Sequence, residues 1–139
     1  MTENKSLDLA SLNTTQKASE GIEVELLHPT TLEPIGGFIT VVGSDSNQYS
    51  EAQDRAGAYQ AKRAKEDGKE LKVYSRNAEF KRRIVQDCIV GWRDITVDGK
   101  DFKFSGAAKG QLLRDYPWIV VQLWSHIHDR SLFFRGGNG

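Results

Sequence analysis

CIVGWRDITVDGKDFKFSGAAKGQLLRDYPWIVVQLWSHIHDRSLFF, residues 88–134, decides how this chain folds. The stretch holds all three tryptophans and four of the six phenylalanines of the 139-residue chain. Aromatic side chains bury large apolar areas, and the stretch offers no nucleophile with a base and an orienting group beside it. We expect it to pack, either into the core of the protein or against another protein.

Helical patterns begin just before this stretch and continue through it. A helix from Ser75 to about Trp92 is predicted because its apolar residues recur on one stripe. A second helix begins after Ser105, which can cap it, and Pro117 in a first turn predicts another that runs to about Leu132. Between the first and second of these helices, Asp98-Gly99 predicts a tight turn in a short hairpin. The stripe of the first helix contains Ile84, Val85, Cys88, Ile89 and Trp92.

Upstream, the pattern changes from strands to a helix. Residues 22–27 alternate apolar and charged side chains, the period of a half-buried strand, and 38–42 form a second β-rich run. Two prolines and two glycines lie between them, so residues 22–43 are predicted to form a β-hairpin. Good helix formers then follow from Asn47 to about Asp67.

Together these patterns predict a mostly α protein with an N-terminal β-hairpin, an α+β chain with a compact helical domain of about four helices. The single globular domain spans residues 21–134, with the hairpin at 22–43 and the helices within 47–132. Residues 1–20 are polar and are predicted to be a flexible arm, and 135–139 a flexible glycine-rich tail.

Charge is balanced overall but unevenly distributed. The chain has 19 basic and 19 acidic residues. Residues 1–54 carry two basic and nine acidic side chains, whereas residues 55–83 carry ten basic and four acidic ones. This asymmetry indicates self-association or a charged partner; a helix whose charges only face water is the simpler alternative.

Cysteine content and hydropathy bear on the compartment. Cys88 is the only cysteine, so no disulfide can form within the chain. No apolar run approaches the roughly 20 residues that cross a bilayer, and the N-terminus is too polar for a signal peptide. We therefore expect a cytoplasmic protein without membrane contact.

Candidate catalytic and metal-binding residues are few. His126 and His128 stand two apart, which on a helix points them away from each other, so a shared metal ion is not expected. Asp94, Asp98 and Asp101 lack the spacing of a calcium loop and suit turns. No glycine-rich phosphate loop is present. The sequence predicts no enzyme activity, no metal and no cofactor.

Nucleic acid is a weak possibility for the basic middle of the chain. Tyr59, Tyr74 and Phe80 lie among its lysines and arginines. Proteins that bind single strands combine cations and aromatic rings in this way, with the bases stacked on the rings. Acidic residues interrupt the basic run, and no known nucleic-acid motif is present, so this partner is not expected.

Two segments resemble a known family. These are IEVELLHPTTLEPIGGFITVVGSDSNQYSEAQ at 22–53 and the stretch already quoted at 88–134, together about 80 of 139 residues. They resemble phage tail assembly chaperones of long-tailed bacteriophages. The resemblance implies a non-enzymatic helper in the host cytoplasm, absent from the mature virion, that coats the tape-measure protein and recruits tail-tube subunits.

A chaperone of this kind needs an apolar surface for its helical partner. The last helix carries more large apolar groups than one face can bury, and the middle of the chain supplies cations. The predicted partner-binding residues are Trp118, Trp124, Phe133, Phe134, Arg82 and Arg83. The alternatives are a structural part of the virion, such as a head–tail connector or tail-completion protein, and a small nucleic-acid-binding protein.

Overall fold

The computed structural model describes residues 6–67 and 73–134, without the side chains of residues 66–67 and 73–76. It is an α+β structure, in agreement with the predicted class. A 3₁₀ turn at Leu9–Leu12 precedes the regular elements. These are α1 (Thr14–Glu20), β1 (Ile22–Leu27), β2 (Pro34–Val41), α2 (Asn47–Asp67), α3 (Val73–Cys88), β3 (Ile89–Arg93), β4 (Thr96–Val97), β5 (Lys100–Asp101), α4 (Gly106–Asp115), α5 (Pro117–Ile127) and α6 (Arg130–Phe134).

The predicted hairpin is the first part of a three-stranded antiparallel sheet with the order β1-β2-β3. In β1, Ile22, Val24 and Leu26 are buried while the residues between them are more exposed, as the alternation predicted. Ile39 and Val41 of the central strand β2 are fully buried. The sheet therefore presents one apolar face to the helices.

The third strand corrects the predicted helix at 75–92. Helix α3 ends at Cys88, and Ile89–Arg93 pairs with β2, with Val41 opposite Ile89. The amide of Val42 donates to the carbonyl oxygen of Cys88 at 3.0 Å, which brings the end of the helix directly beside the sheet. A β-branched pair followed by glycine has low helix propensity, so pairing with β2 decides its conformation.

Trp92 consequently lies on a strand rather than on the predicted helical stripe. It is half-buried, stacks on Phe102 with 5.5 Å between the ring centroids, and meets Phe104 edge-on at 4.9 Å. Its indole nitrogen donates to the carbonyl oxygen of Phe102 at 2.7 Å. These contacts hold the β4–β5 hairpin, whose predicted turn at Asp98-Gly99 is present with positive φ at both residues.

Helices α3, α4 and α5 cover the apolar face of the sheet. Gln122 fixes α5 to the sheet, because its side-chain amide both accepts from and donates to the backbone of Leu27, at 3.0 and 2.9 Å. The remaining stripe of α3 is buried as predicted. The buried helical side chains of this core include Ile84, Val85, Cys88, Leu112, Leu113, Ile119, Leu123 and Ile127.

Helix α2 packs against α3 in the antiparallel direction. Arg55 pairs with Asp87 at 3.1 Å, and Arg63 pairs with Glu79 at 3.1 Å, so residue numbers rise on one helix as they fall on the other. Three residues on one face of α2 are buried: Tyr49, Ala52 and Ala56.

The last predicted helix is divided in two. Helix α5 ends at Ile127, and α6 begins at Arg130. Asp129 caps α6 by accepting from the amide of Ser131 at 3.2 Å, and a capping aspartate favours the start of a new helix. The predicted count of about four helices is therefore too low for the described residues.

The N-terminal segment predicted as an arm contains helix α1. Asn13 caps this helix, and Ala18 is buried and accepts a hydrogen bond from the amide of Gly43 at 2.9 Å. Helix α1 packs against α6. The predictions for residues 1–5 and 135–139 lie outside the described residues.

Asp45 joins the N-terminal and C-terminal helices. Its carboxylate accepts from Arg130 of α6, with 2.9 Å between Arg130 Nη2 and Asp45 Oδ1. The hydrogen bonds from Arg130 lower the pKa of Asp45; partial burial opposes this, and a hydrogen bond from Thr14 of α1 adds to it. The carboxylate form therefore stabilises the folded protein.

Asp45→Asn is expected to reduce stability at neutral pH by a small amount that vanishes in acid. Because the pKa of Asp45 is lower in the folded state, its contribution is complete above the unfolded carboxyl pKa of about 3.9 and is lost as the pH falls through the folded value. Urea unfolding of both proteins from pH 7 to about 2 measures this. Asp54→Asn is the control, since Asp54 makes no ion pair with any residue described. A pH-independent difference between wild type and Asp45→Asn would contradict the prediction.

Candidate partner-binding groove

An open groove runs between α3 and α5. Its volume is about 680 Å³. The outward side of α3 forms its wall and the outward side of α5 forms its floor, and we call it the α3–α5 groove. The residues that line it are Arg63, Asn77, Ala78, Glu79, Lys81, Arg82, Leu113, Pro117, Val120 and Val121.

The floor of the groove is apolar because α5 is apolar on more than one face. Ile119, Leu123 and Ile127 face the core, whereas Pro117, Val120 and Val121 face the groove at i, i+3 and i+4 spacing. Val121 is 72% exposed. Ala78 and the buried Leu113 also line the groove, and an apolar lining of this kind is more informative than a single exposed aliphatic residue.

Cations lie on the wall that α3 forms. Lys81 and Arg82 project from the same turn of α3, and neither makes an ion pair with a residue in the described ranges. Glu79 is the acidic residue of the lining, and it already pairs with Arg63 at 3.1 Å and lies 3.5 Å from Arg83 Nε. The groove therefore combines an apolar floor with positive charge that its own lining does not neutralise.

Arg82 lies near two other guanidinium groups. Partial burial lowers its pKa, and the nearby guanidinium groups of Arg83 and Arg114 lower it further, with Glu79 opposing. Arg114 also has no ion-pair partner among the residues described. The arrangement favours an anionic group beside Arg82, since such a group would relieve this repulsion.

Of the predicted partner-binding residues, Arg82 lies in this groove and Trp124 lies beside it. Arg82 lines it, and Lys81, which also lines it, lies 5.3 Å from the ring centre of Trp124. Trp124 is half-buried and packs on His128, with 4.1 Å between the ring centroids. It therefore adjoins the groove rather than forming its floor.

The other predicted residues lie elsewhere. Trp118 lines a separate pocket of about 290 Å³ beside Leu26 and Ile95. Arg83 lies over the ring of Tyr59 at 3.3 Å from its centre. These two side chains make contacts within the domain and do not extend the α3–α5 groove.

The two C-terminal phenylalanines have different environments. Phe133 is 3% exposed and belongs to the core, so its assignment to a partner surface is corrected. Its ring lies against the backbone of Gly43, where no side chain competes for the space. Phe134 is 38% exposed on α6 but does not line the groove.

The residues of the groove floor, which sequence reasoning missed, are apolar. Pro117, Val120 and Val121 lie in the run PWIVVQLW at residues 117–124, in which Gln122 is the one polar residue. That run is the signal for a second contact surface, because a helix packed on one side buries only one stripe.

The histidines are engaged in structural hydrogen bonds. His126 Nδ1 lies 2.8 Å from the carbonyl oxygen of Gln122, and His128 Nδ1 lies 2.8 Å from that of Trp124. A carbonyl oxygen only accepts, so His128 Nδ1 donates and a neutral His128 accepts at Nε2 from the Tyr49 hydroxyl, 2.7 Å away. Burial raises the pKa of Tyr49.

Reactive groups are inactive or dispersed in the described part of the chain. Cys88 is fully buried, and burial raises the pKa of its thiol to about 12, so it is not a thiolate at neutral pH. Within residues 6–67 and 73–134, no three His, Cys, Asp or Glu side chains could hold a metal ion together. Among the helices described, none has both the length and the hydropathy of a membrane span.

The comparisons with known proteins give no relative. No protein-family model matches the sequence, and neither the curated proteins nor the solved structures contain a significant match.

Proposed function

We propose that this protein is a non-enzymatic phage tail assembly chaperone that binds the tape-measure protein and recruits tail-tube subunits in the host cytoplasm. The observation that carries the proposal is the α3–α5 groove, an open apolar surface beside unneutralised cations. The resemblance of residues 22–53 and 88–134 to this family supports it.

The groove suits the physical task of such a chaperone. A long helical protein with an exposed apolar stripe associates with itself unless that stripe is covered. A surface with apolar positions one helical turn apart can cover it, as helix-binding grooves do. In α5, Pro117 and Val121 are spaced in this way, and Val121 is largely exposed. No catalytic group is required.

Co-expression with the candidate tape-measure protein tests the proposal. Wild-type protein is expected to keep the tape-measure protein in the soluble fraction and to be retained with it on an affinity column. Val121→Asp is expected to weaken this capture by about tenfold or more, because burying one valine contributes roughly 1.5–3 kcal/mol. The matched control is Val90→Asp, since Val90 is also exposed, at 48%, but lies on β3 outside the groove.

Three results would overturn the proposal. The first is equal capture by Val121→Asp and wild type, and the second is failure of the wild type to hold any tape-measure protein in solution. The third is recovery of the protein in stoichiometric amounts from purified virions, which would favour a head–tail connector or tail-completion protein instead.

A further inference from the structure

We infer that the α3–α5 groove selects an acidic amphipathic helix, one whose apolar stripe is flanked by carboxylates that contact Arg82. This inference rests on the proposed function and specifies the chemistry of the partner segment. Its basis is that one groove has both an apolar floor, with Val120 and Val121, and a positively charged wall, with Lys81 and Arg82.

The charges decide the sign of the partner. Arg82 is half-buried, with the guanidinium groups of Arg83 and Arg114 nearby, and Glu79 is shared between Arg63 and Arg83. A carboxylate placed at Arg82 would form a charge-assisted, bidentate pair and relieve the repulsion among the guanidinium groups. A basic segment would increase that repulsion, so the groove discriminates by charge as well as by apolar contact.

The helices that form the groove favour a helical conformation of the bound segment. The wall and the floor are both helices, whose backbone amides and carbonyls are bonded within the helix, so they offer no open strand edge to an extended peptide. A segment laid on the apolar floor of Val120 and Val121 must therefore satisfy its own backbone groups. A helix does this, and its apolar positions at i, i+3, i+4 and i+7 match a floor built at the same spacing.

A second copy of this chain is the main competing occupant. Residues 1–54 carry nine acidic and two basic side chains, so an acidic surface is available on another copy. In the described part of that region, however, β1 and β2 are buried on their apolar face. An acid-flanked apolar stripe on a long helix is thus better supplied by a helical partner than by the N-terminal sheet.

Three synthetic peptides of about 20 residues, long enough to form helices, test the inference. All share one leucine stripe, and the flanking positions are glutamate, glutamine or lysine. The glutamate peptide is expected to bind wild-type protein about tenfold more tightly than the glutamine peptide, and the lysine peptide is expected to bind weakest. The difference should vanish near 1 M salt, where exposed charges are screened beyond about 3 Å.

Variants of Arg82 locate the effect. Arg82→Gln is expected to lower affinity for the glutamate peptide to that for the glutamine peptide and to leave the latter unchanged. Arg82→Glu should reverse the preference in favour of the lysine peptide. Lys100→Gln, which removes an exposed cation from β5, is the matched control and should change neither affinity. Thermal melts of each variant confirm that it is folded.

The outcomes separate this inference from the proposed function. Equal binding of the glutamate and glutamine peptides, or tighter binding of the lysine peptide, would overturn it even if the tape-measure protein is still kept soluble. Self-association of the protein that is abolished by Arg82→Glu, with no peptide bound, would assign the groove to a second copy and also overturn it. Loss of tape-measure capture with peptide selectivity intact would instead contradict the proposed function.

Discussion

Leu123→Ala is expected to lower the free energy of unfolding by about 2–5 kcal/mol, because it removes a fully buried side chain and leaves a cavity between α5, α3 and the sheet. Small domains are stable by about 5–15 kcal/mol, so the loss is a large fraction of the total. Chemical denaturation followed by circular dichroism measures the change, and the melting temperature should fall with it.

Val121→Ala is the matched control for this prediction. Val121 lies two residues before Leu123 on the same helix but is 72% exposed, so its truncation should change the free energy of unfolding by no more than about 0.5 kcal/mol. Similar losses for both variants would mean that the two faces of α5 are assigned incorrectly. An unchanged stability of Val121→Ala would also show that variants of the groove can be studied in a folded protein.

The faces of the helices could be predicted because their pattern is local. Ile119, Leu123 and Ile127 recur at i, i+4 and i+8, and a pattern of this kind identifies the buried side without knowledge of the partner surface. Trp124 of the same helix is only half-buried because it lies beside this stripe, where Lys81 lies over its ring. Periodicity therefore predicts which side is buried better than how deeply each residue is buried.

The third strand could not be predicted because its conformation depends on a distant segment. Ile89–Arg93 is short and continues the apolar pattern of α3, and such runs are ambiguous between helix and strand. Pairing of Ile89 with Val41 across 48 residues of chain decides the matter. The low helix propensity of Ile89, Val90 and Gly91 was the local signal against a helix.

The groove could be predicted only in part for a similar reason. Sequence reasoning chose large aromatic residues as anchors, but Phe133 is used in the core and Trp118 in another pocket. The surface that is open depends on how α3 and α5 lie beside each other, which no local pattern specifies. Arg82, which lines the groove, was chosen from the sequence because the middle of the chain supplies cations.

Phe133 packs closely against Gly43. A methyl group at Gly43 would lie 2.9 Å from Phe133 Cε2 and 3.1 Å from Ala18 Cβ, so Gly43→Ala is expected to lower the free energy of unfolding by about 1–3 kcal/mol through overpacking where α1 and α6 meet. Gly57→Ala is the control: beyond its chain neighbours and the nearby backbone of α2, no described atom lies within 4 Å of the added methyl group, and removing a mid-helix glycine should raise stability by about 0.5–1 kcal/mol. Denaturant titrations of the two variants should therefore move in opposite directions. If Gly43→Ala is as stable as wild type, Phe133 does not pack closely on Gly43.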